Sequence, residues 1–346
     1  MTGTTTGNVE ASVLRVSALT KAYGPGTSLL SRFATGRAGT LKALDGVDLH
    51  VRPGEILALV GESGSGKSTL AKILVGSTSP TSGDVSIAGE PAPASRTKES
   101  SRRVQMVFQD PYSSLNPRIP VGRMLSELLL LHRIVPRAEV RAESVRLLNL
   151  VGLEEDVLTA YPSQFSGGQR QRLAIARALA VRPEVLIADE PVSALDVSVQ
   201  ATILELFATL RTELGLSILF IAHNLAVVQH LADRVAVMYL GRIVEVAPTA
   251  QLFTEPRHPY TRALIDSIPR MTETSVNDGF EVDGEPPSPY DVPAGCRFHP
   301  RCPLASEVCR ENDPPLLAVG PAHESACLKA DELALIPVPN VPLEQR

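Results

Sequence analysis

Residues 56–69 read ILALVGESGSGKST. The apolar opening predicts a short strand buried on both faces, and the glycines Gly61 and Gly66 bracket a loop directly after it. Between them lie Glu62, Ser63, Gly64 and Ser65, and Lys67, Ser68 and Thr69 then open a helix. Glycines let the backbone turn its amides inward on an anion, and the helix N-terminus adds a favourable field. This strand, loop and helix suit the β- and γ-phosphates of a nucleotide, with Lys67 neutralising phosphate charge and Ser68 ligating magnesium.

The same strand type recurs. The runs EVLIAD (184–189) and SILFIA (217–222) are each followed by a polar turn and a helical pattern, VSVQATILELFATLRTEL and NLAVVQHLAD. Alternation of this kind from Val13 to about Leu240 predicts an α/β fold with a mostly parallel sheet covered by helices. Early segments with strand alternation, VLRVSALTKAYG, LKALDGVDLHV and DVSIAG, predict an additional antiparallel sheet beside it. Residues 25–39, PGTSLLSRFATGRAG, read as a turn-rich insertion and a surface loop, and the first 12 residues as a disordered start. From Asn116 to about residue 180 the chain is helix-rich, and RAEVRAESVRLLNLVGL carries apolar residues at helical spacing, so a helical subdomain is expected there. After Pro248 come HPYTRALIDSIPR, an acidic proline-rich stretch and all four cysteines, which predicts a separate C-terminal extension over 251–346.

A chain of 346 residues with 44% hydrophobic composition can bury a full core and carry a second, smaller unit. Its net charge of −5 and pI of about 5.9 give no global basic field, so nucleic acid is not an expected partner. The apolar stretches fall well short of the roughly 20 residues that span a bilayer, and the start lacks a signal-peptide pattern. A cytosolic location is expected.

The strand VLIADE delivers Asp189 and Glu190 at its C-terminal end, where open α/β sheets place their ligands. Asp189 suits the magnesium shell, and Glu190 suits orientation or deprotonation of an attacking water. His223 ends the strand SILFIA at the same sheet edge, and Gln109, in MVFQDPYSSLNPR, follows another short strand and could touch magnesium or water. Residues 165–172, FSGGQRQR, place Ser166, Gly167, Gly168 and Gln169 at a helix start. Such a turn presents amides and a hydroxyl to an anion, yet the chain's own glycine loop already wraps one set of phosphates. A site shared between two chains follows.

The order GESGSGKST, Gln109, FSGGQRQR, VLIADE, SALD and His223 resembles the nucleotide-binding subunit of ATP-binding-cassette (ABC) transporters, a P-loop NTPase family, over roughly residues 13–250. The resemblance implies ATP and Mg2+ as ligands, with Ser68, Gln109 and Asp189 around the metal and Tyr23 stacked on adenine. It implies that Ser166 to Gln169 complete the opposing subunit's site and that Ser193 to Asp196 join the two sites. It also implies a second ATPase subunit, identical or paralogous, two transmembrane permease subunits and, indirectly, an extracytoplasmic solute-binding protein, with this chain at the cytoplasmic face of the membrane. The wording FQDPYSSLNPR, HPYTRALIDSIPR and the cysteine tail resembles the oligopeptide and dipeptide importer branch, in particular the second of its two ATPase subunits. Nickel and oligosaccharide importers share much of it. A soluble ABC protein acting on ribosomes or nucleic acid is the reading from another class, and the single cassette and acidic balance disfavour it.

Cys296, Cys302, Cys309 and Cys327 are separated by five, six and seventeen residues. A reducing cytosol disfavours disulfides, and four thiolates suit a [4Fe–4S] cluster or a structural Zn2+. The spacing resembles the cluster-bearing tail of peptide-importer ATPases, while His299 and His323 leave a mixed Cys/His zinc site open. The expected role of this region, far from the phosphate loop in sequence, is to staple a small unit with little core of its own.

Overall fold

Strands β1 (Leu14–Tyr23) and β2 (Leu41–Val51) pair antiparallel, and β3 (Ile56–Val60) follows with every side chain buried. Helix α1 (Lys67–Leu74) starts straight after the glycine loop. With β4 (Ser82–Ile87) and β5 (Glu90–Pro91), the first two strands form the antiparallel sheet that the early alternation predicts, in the order β2-β1-β4-β5. A short helix, α2 (Lys98–Arg103), leads into β6 (Val104–Val107). The helix-rich segment then supplies α3 (Val121–Leu131), α4 (Val140–Leu150) and α5 (Gly167–Leu179). Strand β7 (Val185–Asp189), helix α6 (Val197–Leu214), strand β8 (Ser217–Ala222), helix α7 (Leu225–Gln229) and strands β9 (Arg234–Tyr239) and β10 (Arg242–Pro248) follow. The remaining elements are α8 (Thr249–Thr254), α9 (Pro259–Asp266), α10 (Glu307–Glu311), β11 (Leu317–Gly320), β12 (His323–Ser325) and α11 (Ala330–Ala334).

This computed structural model describes residues 12–24, 40–93, 97–110, 114–268, 280, 282, 284–336 and 338. The expected disordered start and the 25–39 insertion lie outside them, apart from Ser12.

The main sheet runs β11-β12-β10-β9-β3-β8-β7-β6. Its five strands from β9 to β6 are parallel, and β10, β12 and β11 continue it antiparallel. Alternation along β3 splits its side chains between two cores. Ile56, Ala58 and Val60 join Leu125 and Leu129 of α3, Ile175 of α5 and Phe207 of α6. Leu57 and Leu59 join Leu70, Ile73 and Leu74 of α1 and Leu14, Val16 and Leu49 of the smaller sheet. A strand covered on both faces needs an apolar residue at every position, which is why these runs show no polar alternation.

The region after Pro248 is woven into this sheet: β12 pairs with β10, Glu245 opposite Ser325 and Val246 opposite Glu324. Glu245, fully buried, accepts hydrogen bonds from the backbone amides of Arg257 (2.6 Å) and His258 (3.0 Å) and lies 2.7 Å from His323 Nε2. Among the described residues no helix is long and apolar enough to cross a membrane.

Candidate active site

The glycine loop is shaped by close approach. A Cβ on Gly61 would sit 2.1 Å from the Met238 carbonyl oxygen, and one on Gly66 (φ +113°) would sit 2.5 Å from the Ala43 carbonyl oxygen. Only glycine lets this loop pass so close to β9 and β2. Gly66 is the N-cap of α1 and offers no side-chain acceptor, so the first helical amides stay available to an anion. Lys67 is buried; its Nζ donates to the Gly61 carbonyl (2.6 Å), the Glu62 carbonyl (2.9 Å) and Ser65 Oγ (3.4 Å). Burial lowers the Lys67 pKa, and the charges of Glu190, Asp189 and Glu62 oppose that shift.

Strand β7 runs beside β8 and β6, so its C-terminal end delivers Asp189 and Glu190 to the edge where β3 opens into the loop. Ser68 Oγ donates to Asp189 Oδ1 at 3.5 Å, joining the two expected magnesium ligands. Burial raises the Asp189 pKa; the Ser68 bond opposes this and the neighbouring Glu190 charge adds to it. Glu190 has φ +46°, a left-handed conformation that a non-glycine residue adopts at a cost of about 1–3 kcal/mol. Its carboxylate accepts from Gln109 Nε2 (3.2 Å) and lies 3.2 Å from His223 Nδ1, while Gln109 also donates to Ser193 Oγ (3.3 Å). Gln109 and His223, from two further motifs, thus meet at the Glu190 carboxylate.

The FSGGQRQR turn behaves differently. Ser166 caps α5 reciprocally: its Oγ accepts from the Gln169 amide (3.3 Å), and Gln169 Oε1 accepts from the Ser166 amide (3.0 Å). Ser166 and Gln169 are exposed, and among the described residues they share no hydrogen bond with the glycine loop. Gly168 is packed so tightly that a Cβ would lie 2.5 Å from Val199 Cγ1. Ser193 donates to the Glu190 carbonyl (3.0 Å), and Asp196 caps α6 through the Val199 amide (3.0 Å), so SALD links the acidic cluster to the exposed turn. Tyr23 ends β1, is 41% exposed and has Lys21 Nζ 5.0 Å from its ring centroid.

A profile described as "ABC transporter" matches residues 44–193, and one described as "Oligopeptide/dipeptide transporter, C-terminal region" matches residues 244–309. A probable peptide ABC transporter ATP-binding protein of Sinorhizobium fredii is 46% identical over 318 residues, covering 91% of this chain and 89% of that one. The chain belongs to the ABC transporter ATP-binding proteins. A dipeptide transport ATP-binding protein of Haemophilus influenzae is 47% identical, with 84% of this chain and 90% of that one covered. Among solved structures, a dimeric ATP-binding cassette in a post-hydrolysis state with ADP and phosphate is 28% identical with a TM-score of 0.58, covering 68% of this chain and 98% of that one. The cbiO1 protein of Clostridium perfringens, part of an ABC transporter complex, is 28% identical with a TM-score of 0.60, over 70% of this chain and 91% of that one. ATP is therefore the nucleotide, magnesium its fitting ion, and this ABC subunit is an ATPase.

The four cysteines line one small cavity with His258 and His299. Among the described residues no three His, Cys, Asp or Glu side chains are grouped to hold a metal ion, so neither the cluster nor the zinc expectation gains support from that quarter. His323 is turned elsewhere, onto buried Glu245, which removes it from a mixed zinc site. Burial pushes the Cys302 thiol up to about 11 and the Cys327 thiol up to about 12. The backbone amide of Lys329 donates to Cys327 Sγ at 3.3 Å. Sequence reasoning missed two residues that touch the phosphate loop from beyond residue 250. Tyr260 Oη accepts from the Glu62 amide at 2.8 Å, and Arg301 pairs with the Glu62 carboxylate at 3.1 Å. The first lies in HPYTRALIDSIPR, which by itself reads only as importer wording, and nothing local marks the second.

Proposed function

We propose that this ATPase powers peptide import by hydrolysing ATP at two composite sites formed with a second ATP-binding subunit, a copy of itself or a paralogue. The reading rests on one division of labour: Gln109, Asp189, Glu190 and His223 gather by the glycine loop, whereas Ser166 and Gln169 are exposed and, among the described residues, share no hydrogen bond with that loop. Gly61 to Thr69 and Tyr23 hold the nucleotide, and Ser166 to Gln169 close the opposing site. Ser193 to Asp196 tie the two sites together. Ser68, Asp189 and Gln109 are the residues that would hold magnesium, which when bound offsets phosphate charge. Glu190 takes or orients the water proton, with Gln109 and His223 fixing its carboxylate. Loss of the γ-phosphate removes the contacts that favour the closed pair, and opening drives the membrane subunits.

We assign the ATPase unit to residues 13–250, its helical subdomain to about 116–180 and the extension to 251–346. A groove lined by Val75, Ser101, Met106, Phe108 and Arg177 adjoins the Gln109 loop, and Phe108 is 42% exposed. Two permease subunits docking there would hold the chain at the cytoplasmic face, with an extracytoplasmic receptor choosing the peptide. Peptide as cargo is favoured by the match over residues 244–309 and by the relatives' names. The gathering of Cys296, Cys302, Cys309 and Cys327 around one cavity supports the reading that these four thiols together hold a [4Fe–4S] cluster.

The composite site is tested by dilution. Specific ATPase activity should fall as protein concentration drops, and Ser166→Arg should stop turnover while nucleotide still binds. Dilution-independent turnover with Ser166 dispensable overturns it. Anaerobically purified protein should be brown, with iron and labile sulfide; colourless protein with stoichiometric zinc overturns the cluster. In vesicles with its membrane subunits, peptide-loaded receptor should stimulate hydrolysis, and stimulation by nickel or oligosaccharide instead overturns the cargo.

A further inference from the structure

Glu62, second residue of the phosphate loop, is gripped twice by the C-terminal extension. Arg301 Nη1 donates to Glu62 Oε1 (3.2 Å) and Oε2 (3.1 Å), and Nη2 donates to Oε1 (3.1 Å). The Arg301 side chain is 11% exposed, and its guanidinium lies 6.0 Å from the Tyr239 ring and 5.8 Å from the Phe298 ring. The Glu62 amide donates to Tyr260 Oη at 2.8 Å. Tyr260 is itself fixed, 1% exposed and packed 4.6 Å from Tyr239 and 5.5 Å from Phe298, centroid to centroid. One residue of the loop is therefore held at its carboxylate and at its amide by groups that the ATPase motifs do not contain.

We propose that Arg301 and Tyr260 are positioning residues for the phosphate loop, so that nucleotide affinity depends on the C-terminal extension. The proposal rests on the reading that Gly61 to Thr69 binds the phosphates of ATP. Three physical arguments support it. A loop with three glycines has little intrinsic stiffness, and its preorganisation has to come from outside. A carboxylate beside a triphosphate repels it unless a cation answers the charge, and a bidentate guanidinium both neutralises and aims Glu62. Tyr260, by accepting from the Glu62 amide, decides which loop amides remain free for phosphate. Arg301 also sits between Cys296 and Cys302, in the short 3-10 turn His299–Arg301 whose end is closed by the Cys302 amide on the His299 carbonyl (3.3 Å). The cysteine cavity and the phosphate loop are thus one arginine apart. The distance in sequence that suggested an independent staple is not a distance in space.

The test uses the full chain, a fluorescent ATP analogue for affinity, steady-state hydrolysis for the split between KM and kcat, and urea unfolding without nucleotide. Arg301→Gln should weaken analogue binding about tenfold, as expected for one charge-assisted contact, with kcat at saturating ATP nearly unchanged. Adding Glu62→Gln should restore most of the affinity, because the uncompensated carboxylate is gone and the two amides can pair. Binding within twofold of wild type in Arg301→Gln overturns the proposal, as does a loss that Glu62→Gln fails to relieve. Should Arg301→Gln not fold, Tyr260→Phe keeps the ring packing and removes only the acceptor; several-fold weaker binding supports the brace, and unchanged binding refutes it. If wild type itself fails to bind the analogue, the nucleotide reading has failed and not the brace.

Discussion

Glu190→Gln separates chemistry from assembly in this ATPase. The substitution is nearly isosteric, so the left-handed backbone at Glu190 and the packing of β7 are retained. A glutamine carbonyl can still accept from Gln109 Nε2, now at 3.2 Å from the carboxylate. What disappears is the carboxylate assigned to accept the water proton, which His223 Nδ1 approaches to 3.2 Å. General-base assistance is worth about 10²–10⁴ in rate, or roughly 2.7–5.4 kcal/mol of barrier. One negative charge also leaves the neighbourhood of Asp189, whose carboxyl is already pushed up by burial and by Glu190. The repulsion toward a triphosphate therefore falls, and ATP affinity should hold or rise. Phosphate release should drop by at least a hundredfold, analogue binding should persist, and size-exclusion chromatography with ATP should show a trapped dimer. Turnover within tenfold of wild type would falsify the assignment of Glu190, and lost binding would show that the change had damaged the loop instead.

Gly61→Ala should abolish analogue binding and cost about 1–3 kcal/mol in urea unfolding, because its Cβ would sit 2.1 Å from a backbone carbonyl that cannot move aside cheaply. Gly168→Ala, driven against Val199 Cγ1 at 2.5 Å, should tilt the exposed turn: ATPase activity should fall about tenfold or more while monomer binding of the analogue stays unchanged, and normal turnover would count against a shared site. Burial lowers the His258 pKa to about 3, so the unfolded chain binds the extra proton below its ordinary value of 6.5. The stability this neutral histidine contributes is complete above pH 6.5 and is lost as pH falls toward 3, at up to about 1.4 kcal/mol per pH unit. His258→Asn keeps an acceptor for the Tyr260 amide and should flatten the acid limb of urea midpoint against pH; an unchanged limb would refute the assignment.

Much of this was legible because the decisive patterns are local. ILALV, VLIAD and SILFIA announce strands covered on both faces, and the glycine spacing of residues 61–66 encodes a loop whose close approaches to Met238 and Ala43 only glycine permits. The meeting of Gln109, Asp189, Glu190 and His223 was legible one step removed, from the rule that parallel strands present their C-terminal ends at one edge. The NLAVVQHLAD pattern was less reliable: the helix stops at Gln229, and Leu231 and Ala232 fill the core from the turn beyond it. β12 could not be read, because its buried residues His323 and Ser325 are polar and owe their burial to Glu245 and Arg257, far away in the chain. The same holds for Arg301 and Glu62, whose pairing no periodicity encodes.

The two ends of the main sheet are treated differently, and this asymmetry bears on how the subunit works. At the β10 end, the chain covers its own edge: β12 and β11 take the open hydrogen bonds, and the extension that supplies them also grips the phosphate loop through Arg301 and Tyr260. At the β6 end no further strand follows among the described residues, and the groove beside α5 leads to exposed Phe108 and then to Gln109, which touches Glu190. An exposed aromatic beside a groove at a sheet end is a surface that suits a partner. Force from a membrane subunit docked in that groove would reach Glu190 through a single hydrogen bond. The opposite end touches the loop read as holding the phosphates. If the groove takes the membrane subunit and the extension braces the loop, chemistry and affinity are handled from opposite ends of one sheet, and changes in the groove should act on kcat and changes in the extension on KM.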